Sequence, residues 1–394
     1  MRLLICTDSY PPQLNGVSVV TALTVEGLQA RGWDCHVVAP RYPVTVQGAL
    51  VPPAAVPVTG VPSFALPGYP DVRVPLPLWG RLQAVARRFA PTLVHCTTEF
   101  VLGRLGQGVA RQLGVPMVSS YHTDFAQYTD SYGIPWMRRP VSAWITRFHA
   151  RSQLVLTPSS ASREALRDLP AERVAVWGRG IDTQAFHPRH RTASLRERLA
   201  QGASFLCLYA GRLAPEKNVA VLVRAFERWA GQVPAGSARL LIAGDGPSLP
   251  GLRAVAGPQV TFLGAVDRTR DLPALYASCD VFAYASTTET LGLVVLEAMA
   301  SGLPVVAVPA GGVADHLEHE RNGLAYADGA EGQLVAALHR LWREPATRAA
   351  LSAGARASAE RKGWDAELDR LDAAFRALVR GSAVTARSGA VPQG

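Results

Sequence analysis

Apolar positions along the chain alternate between two spacings. Leu3–Thr7, Asp34–Ala39, Leu93–Thr97, Pro116–Tyr121, Leu154–Pro158 and Val174–Val176 are short apolar runs bounded by turn residues, which predicts buried strands. Between them Val17–Arg31, Leu78–Phe89, Val101–Leu113, Trp136–Ser152 and Ser160–Asp168 carry helical spacing. Pro40–Pro77, rich in Pro, Gly and Val, predicts loops mixed with short strands. After Gly178–Arg191 the pattern restarts. Phe205–Ala210, Arg239–Ala243, Val260–Leu263, Val281–Tyr284 and Pro304–Pro309 read as strands; Val219–Ala230, Leu272–Ala277 and Leu293–Ala300 read as helices. Glu331–Ala383 is helical in pattern. Strands buried on both faces and separated by helices predict parallel sheets of the α/β class. Two such series predict two doubly wound domains with a cleft between them. In such sheets ligands bind beyond the carboxyl ends of the strands, here the loops after Thr7, Tyr121, Ala210, Ala243 and Tyr284.

Composition narrows the class. The chain has 394 residues, 48% hydrophobic and 18% charged, ordinary values for globular domains and enough length for two cores. The opening MRLLICTDSYPP has too short an apolar run for a signal peptide, and no uncharged, proline-free run reaches bilayer length. A cytoplasmic location is therefore the expectation. The five cysteines are scattered without a CxxC pair, which predicts reduced, buried thiols rather than disulfides or a metal site. The net charge of +9 is uneven: residues 1–190 hold 18 Arg and Lys against 11 Asp and Glu, and residues 191–394 hold 22 against 20. No zinc-finger spacing, aromatic-rich RNA-binding strand or dense basic block accompanies the charge, so nucleic acid is the weakest partner class. Of the 40 basic residues only Lys217 and Lys362 are lysine, and Lys217 stands in a loop where a compact ammonium suits an anion.

The richest stretch is Glu289–Gly312, ETLGLVVLEAMASGLPVVAVPAGG. Thr290-Leu291-Gly292 reads as a helix start, Leu293–Ala300 as its body and Gly302 as its stop. Glu289 then lies in the loop before the helix and Glu297 two turns inside it. A helix this apolar is buried, and a carboxylate on it needs a partner. The free amides at its N-terminus form an anion site. Carboxylates that accept sugar hydroxyls beside amides that hold phosphate suit a nucleotide-sugar. A buried Glu answered by a neighbouring Arg explains either residue alone, but the combined pattern less well.

Other loops add cations and turns. Ala210-Gly-Arg-Leu-Ala-Pro-Glu-Lys217 follows a strand and places Arg212 and Lys217 where a diphosphate would lie, without the spacing of a P-loop. A solvated surface loop pairing Glu216 with a neighbour accounts for Arg212 alone, but less well for the set. Ala243-Gly-Asp-Gly-Pro247 is a second strand-to-loop turn, common in α/β proteins, whose Gly244 and Gly246 allow close backbone approach. In the first domain, Asp8–Val17 leaves a strand and enters a helix at Asn15-Gly16, and Tyr121-His122-Thr123-Asp124-Phe125 puts His122 at a strand end, where a structural histidine fits as well as a functional one.

Together NGV after the first strand, HTDF, WGRGID at 177–182, GRLAPEKN, AGDGP and ETLGLVVLEAMASGLPVVA resemble glycosyltransferase family 4, the retaining GT-B enzymes, in order over about residues 3–365. The resemblance implies two Rossmann-like domains: an acceptor-side domain over 1–185 and a nucleotide-sugar domain over 186–365. A helix over 366–381 would pack back on the first domain, with a disordered tail over 382–394. It implies that Arg212 and Lys217 hold the donor diphosphate, with the Gly244-Asp245-Gly246 turn also on the donor side. Glu289, with amides of Thr290, Leu291, Gly292 and Leu293, would bind the transferred sugar, and Glu297 the ribose. His122 would stand at the reacting sugar, and Gly16 would let its loop approach the phosphates. Asn15-Gly16 replaces the Gly-Gly of many members, which weakens that last role. No metal and no other cofactor is implied. WGRGID and HTDFAQY are most similar to the branch of lipid mannosyltransferases using GDP-mannose, beside sulfoquinovosyl and glucosyl diacylglycerol synthases. The implied acceptor is a lipid or glycolipid, with a UDP-glucose-type donor or a small soluble glycoside as alternatives. The basic first half and Trp136–Arg151, with Trp136, Trp144 and Phe148 among arginines, add an expectation of docking on anionic membrane. An ordinary amphipathic helix packed on the sheet fits that segment equally well. A sugar epimerase of the same fold would need catalytic carboxylates in the first domain, and a non-catalytic nucleotide-sugar-binding module would have lost the cleft motifs.

Overall fold

The computed structural model describes residues 1–13, 15–42, 56–66, 69–131, 133–178 and 180–388. The first domain carries β1 (Arg2–Cys6), β2 (Asp34–Pro40), β3 (Val58–Val61), an antiparallel hairpin of β4 (Ser63–Leu66) and β5 (Tyr69–Pro75), then β6 (Leu93–Cys96), β7 (Met117–Ser120), β8 (Leu154–Thr157) and β9 (Val174–Val176). All but the hairpin form one parallel sheet in the order β3-β2-β1-β6-β7-β8-β9. The second domain carries β10 (Phe205–Ala210), β11 (Ala238–Ala243), β12 (Val260–Gly264), β13 (Val281–Tyr284), β14 (Val305–Ala307) and β15 (Gly323–Ala325), a parallel sheet in the order β12-β11-β10-β13-β14-β15. Every residue of β6, β7, β10 and β13 is buried, as strands covered on both faces require.

Helices cover both faces. Gly16–Ala30 starts at Asn15, whose side chain accepts from the Ser18 amide at 2.9 Å. Val101–Leu113 lacks a cap of its own; Asp8, at the end of β1, takes the Leu102 amide at 2.9 Å and so ties two elements together. The chain's last helix, Trp364–Ser388, returns to the first domain. Leu371 and Phe375 enter its core, Phe375 lies edge-on to Trp33 at 6.0 Å, and Trp33 Nε1 donates to Asp372 at 2.6 Å. Each of those two buried side chains contributes ~1.5–3 kcal/mol of apolar burial. A Cβ at Gly27 would lie 2.3 Å from Leu368, so the two helices touch closely.

Several elements differ from expectation. The helix expected over Trp136–Ser152 is a 3-10 turn, Pro135–Met137, followed by a helix at Arg138–His149 with Pro140 in its first turn, the one place proline is tolerated. The tail expected from residue 382 is helical through Ser388; residues 389–394 lie outside the described residues, as do 43–55 and 67–68 of the loop-rich stretch and Arg179 of WGRGID. The helix of Ser160 stops at Glu164. Three helices, Phe125–Ser131, Ala193–Ala200 and Leu249–Val255, and the three-residue β15 are absent from the sequence pattern.

Candidate active site

The carboxyl ends of β10, β11 and β13 bring three loops together opposite the loop after β7. At Gly292 the backbone takes a left-handed φ of 77°, and the helix begins only at Leu293. Glu297 is therefore a single turn inside it, not two. The main-chain amides of Thr290, Leu291, Gly292, Leu293 and Val294 make no hydrogen bond among the described residues. They form the open N-terminus that the sequence predicted.

Glu289 is the centre of this loop. Its Oε1 accepts from Lys217 Nζ, from the Tyr284 hydroxyl at 2.7 Å and from Ser286 Oγ at 3.1 Å. Lys217 and Glu289 expose only 12% and 14% of their side chains, so the pair is largely shielded from water. Burial opposes ionisation of Glu289, yet the Lys217 ammonium and these hydroxyls hold its carboxyl below the usual range. Burial likewise opposes the charge on Lys217, but Glu289 outweighs it and raises the ammonium's pKa. Both groups are ionised at neutral pH.

Arg212 and Lys217 do come together, each held by a carboxylate. The Arg212 guanidinium donates to Glu216 Oε1 and remains about half exposed, at 47%. Glu216 is not the solvated surface residue that the loop suggested: it is 2% exposed, and its Oε2 has no hydrogen-bond partner among the described residues. Glu297 is 1% exposed and has partners on both oxygens: Arg268 Nε donates to Oε1 at 2.8 Å, and the Tyr276 hydroxyl lies 3.3 Å from Oε2. For this residue the neighbouring-arginine account holds, though a carboxylate has about four acceptor sites and keeps room for a ligand.

The glycines of Gly244-Asp245-Gly246 serve the fold. Their φ angles are 147° and 152°, and a Cβ on them would stand 1.9 Å from Gly211 O and 2.4 Å from Leu213 O. The close approach they permit is to the neighbouring Gly211–Leu213 loop, while Asp245 caps the Gly246 amide at 2.7 Å. At Gly16, by contrast, a Cβ would meet nothing within 4 Å, so space rather than packing surrounds it. Across the cleft His122 is 7% exposed, and its carbonyl accepts from Thr290 Oγ1 at 2.6 Å, joining the two domains at the site. Helix Phe125–Ser131 packs against Pro215–Lys217 and carries Tyr128, whose hydroxyl burial pushes up and whose charged neighbours are Lys217, Glu289, Glu216 and Arg212.

Tyr128, Tyr284, Ser286, Arg268, Tyr276 and the Gly311–Gly312 pair are the site residues that sequence reasoning missed. Only the glycine doublet carried a legible signal. In the first domain the carboxylates nearest the strand ends are tied up: Asp8 by Thr98 and the Leu102 amide, Glu99 by His149 at 3.3 Å. The aromatic set of Trp136–Arg151 also divides. Phe148 is fully buried, Trp144 lies tilted against Phe100 at 5.5 Å with Arg104 over its ring, and of the three only Trp136, 73% exposed, projects. Among the described residues no three His, Cys, Asp or Glu side chains group as metal ligands, and no helix is long and apolar enough to cross a membrane.

Comparison with known proteins fits this geometry. The family model "Glycosyltransferase Family 4" matches residues 14–185, and "Glycosyl transferases group 1" matches residues 204–344. A GDP-mannose-dependent alpha-mannosyltransferase of Mycobacterium tuberculosis is 36% identical over 386 residues, covering 98% of either chain. The Arabidopsis thaliana sulfoquinovosyl transferase SQD2 is 33% identical over 323 residues, 80% of this chain and 62% of that one. The Anabaena protein HepE, solved with UDP, superposes with a TM-score of 0.76 at 21% identity over 96% of this chain and 100% of that one. The two sheets and their cleft are thus the GT-B fold. The chain belongs to glycosyltransferase family 4 and is a glycosyltransferase.

Proposed function

We propose that this enzyme transfers mannose from GDP-mannose to a lipid or glycolipid acceptor, with retention at the anomeric carbon and without a metal. The observation that carries this reading is the buried Lys217–Glu289 pair set beside five unbonded amides, with the His122 loop closing over it. Glu289 accepts hydroxyls of the transferred sugar on the oxygen left open by its three donors. Lys217, Arg212 and the amides of Thr290 to Leu293 face the diphosphate and stabilise the charge that grows as it departs. The acceptor hydroxyl forms its bond to the anomeric carbon on the face the diphosphate leaves. Its proton passes to a departing phosphate oxygen, so no protein nucleophile is required. His122 lines the reacting sugar, Glu297 reaches the ribose, and Gly16 gives the phosphates room. The GDP-mannose assignment draws on the mycobacterial relative, whose donor is in its name.

A lipid acceptor is supported by one surface. Ile134 and Trp136 are exposed beside Arg138, Arg139 and Arg147, an apolar tip among cations that suits the cytoplasmic face of an anionic membrane. The test offers GDP-mannose, UDP-glucose and related donors with lipid extract, follows nucleotide release, and determines the anomeric configuration of the product. An α-mannolipid formed from GDP-mannose alone agrees with the proposal. Preference for a UDP-sugar, or an inverted product, refutes it.

A further inference from the structure

We infer that Lys362 is a positioning residue: through Asp315 and His316 it fixes the Glu289–Gly292 loop to the crossing between the domains. The inference rests on the assignment of Glu289 to the donor sugar. Lys362 is the second of two lysines among 40 basic residues, and it lies just before the helix that returns to the first domain. Its Nζ donates to the Asp315 carbonyl at 2.7 Å and lies 2.5 Å from His316 Nδ1. Two acceptors on consecutive residues, one a carbonyl and one a ring nitrogen, suit the three free directions of an ammonium better than the planar fork of arginine. Burial, with the Lys362 charge, pushes His316 down to about 3, so the ring is neutral and Nδ1 is the acceptor.

The other end of this contact is the catalytic loop. Asp315 ends the 3-10 turn Gly311–Asp315, whose Gly312 amide donates to the Glu289 carbonyl at 2.6 Å. A Cβ at Gly311 would lie 2.2 Å from Glu289 O, and one at Gly312 2.5 Å from Leu291 Cα. Turn and loop therefore touch main chain to main chain, and a shift in one moves the other. The first domain reaches the same turn, since the Ser160 amide donates to Asp315 Oδ2 at 2.8 Å. Lys362 is anchored in turn. Its carbonyl accepts from the Ile181 amide at 2.9 Å, and a Cβ at Gly180 would lie 2.2 Å from Trp364 Cα, so the two interdomain strands of chain run in contact.

The experiment compares Lys362→Met, Lys362→Arg and Ser160→Pro in the full chain, with Glu289→Gln alongside. Ser160 is the first residue of its helix and Ser159 before it is extended at φ −154° and ψ 165°, so proline fits the backbone and removes the N–H that Asp315 accepts, together with the serine hydroxyl. Measurements are kcat and KM with GDP-mannose, GDP affinity by calorimetry, and folded fraction by thermal unfolding. Per folded molecule, kcat falls at least tenfold in Lys362→Met and at least threefold in Ser160→Pro, while GDP affinity stays within twofold. Lys362→Arg does not restore kcat, and the Lys362→Met/Ser160→Pro double variant loses no more than Lys362→Met. A kcat within twofold of wild type once folded fraction is counted, or full rescue by arginine, overturns the inference. If Lys362→Met does not fold, Ser160→Pro decides alone. Full turnover in Glu289→Gln would remove the donor assignment itself, whereas an inactive Glu289→Gln beside a normal Lys362→Met would remove only this inference.

Discussion

Replacing Glu289 by glutamine tests the site most directly, because it keeps the shape and removes the charge. One carboxylate oxygen now holds three donors: Lys217 Nζ, the Tyr284 hydroxyl and Ser286 Oγ. A glutamine amide carries no charge, and one of its two terminal groups is an NH2 that only donates. The variant therefore leaves Lys217, 12% exposed, without its counter-ion. Breaking a buried pair from one side costs about 3–5 kcal/mol when the remaining charge is fully enclosed. The slight exposure of both groups puts this case near the lower bound, and part of the cost is avoided if Lys217 sheds its proton. For turnover, the change acts on the diphosphate through Lys217, whose ammonium Glu289 holds; loss of a group that stabilises developing charge costs about 2–4 kcal/mol, or roughly 30- to 1000-fold in kcat. The assay measures kcat and KM with GDP-mannose on protein shown to be folded, and repeats both with Lys217→Met and the double variant. The double variant regains stability, since no buried charge is left alone, but regains no activity. A Glu289→Gln enzyme with kcat within threefold of wild type and unchanged stability would refute the reasoning.

The remaining predictions concern pH, metal, membrane and the returning helix. Glu289 has a folded pKa below its unfolded value of about 4.3, so its stabilisation is complete above that pH and is lost as pH falls through the lower folded value. Acid titration of stability should accordingly be shallower in Glu289→Gln, and an identical acid limb in both proteins would count against the pair. Activity should survive EDTA, because Lys217, Arg212 and the helix amides supply the positive charge; complete loss restored by magnesium or manganese would contradict this. Binding to anionic vesicles should exceed binding to neutral ones, weaken with salt, and drop when Arg138, Arg139 and Arg147 become Glu, each charge being worth ~1 kcal/mol; equal binding to both vesicle types would favour a soluble acceptor. Phe375→Ala should lower stability by about 3–5 kcal/mol in thermal or denaturant unfolding, since its ring is fully buried against Trp33; a change under 1 kcal/mol would mean the last helix does not complete the first core.

What the sequence determined by itself was whatever is written in local pattern. Strands β9, β10 and β13 and the helices Val101–Leu113, Val219–Ala230 and Leu293–Ala300 have the bounds read from the sequence pattern; for β10 and β13, burial on both faces of a sheet leaves an uninterrupted apolar run. The motif loops after β10, β11 and β13 fall at strand ends as the pattern placed them. The tertiary structure alone decided who holds whom. Lys217 meets Glu289 72 positions away, Thr290 bonds His122 at a separation of 168, and Trp33 meets Asp372 at 339. Such pairings depend on strand order and on two chain crossings, which no local period encodes. The same holds for the neighbours that the pattern left unnamed. Gly244 and Gly246 read as allowing close backbone approach, and it is the Gly211–Leu213 loop that approaches; Glu297 read as a buried carboxylate in need of a partner, and Arg268 comes to it from the loop after β12. A sequence gives the period of burial; which buried polar atoms satisfy one another is settled only when the layers close, because each such atom takes whichever partner the packing delivers.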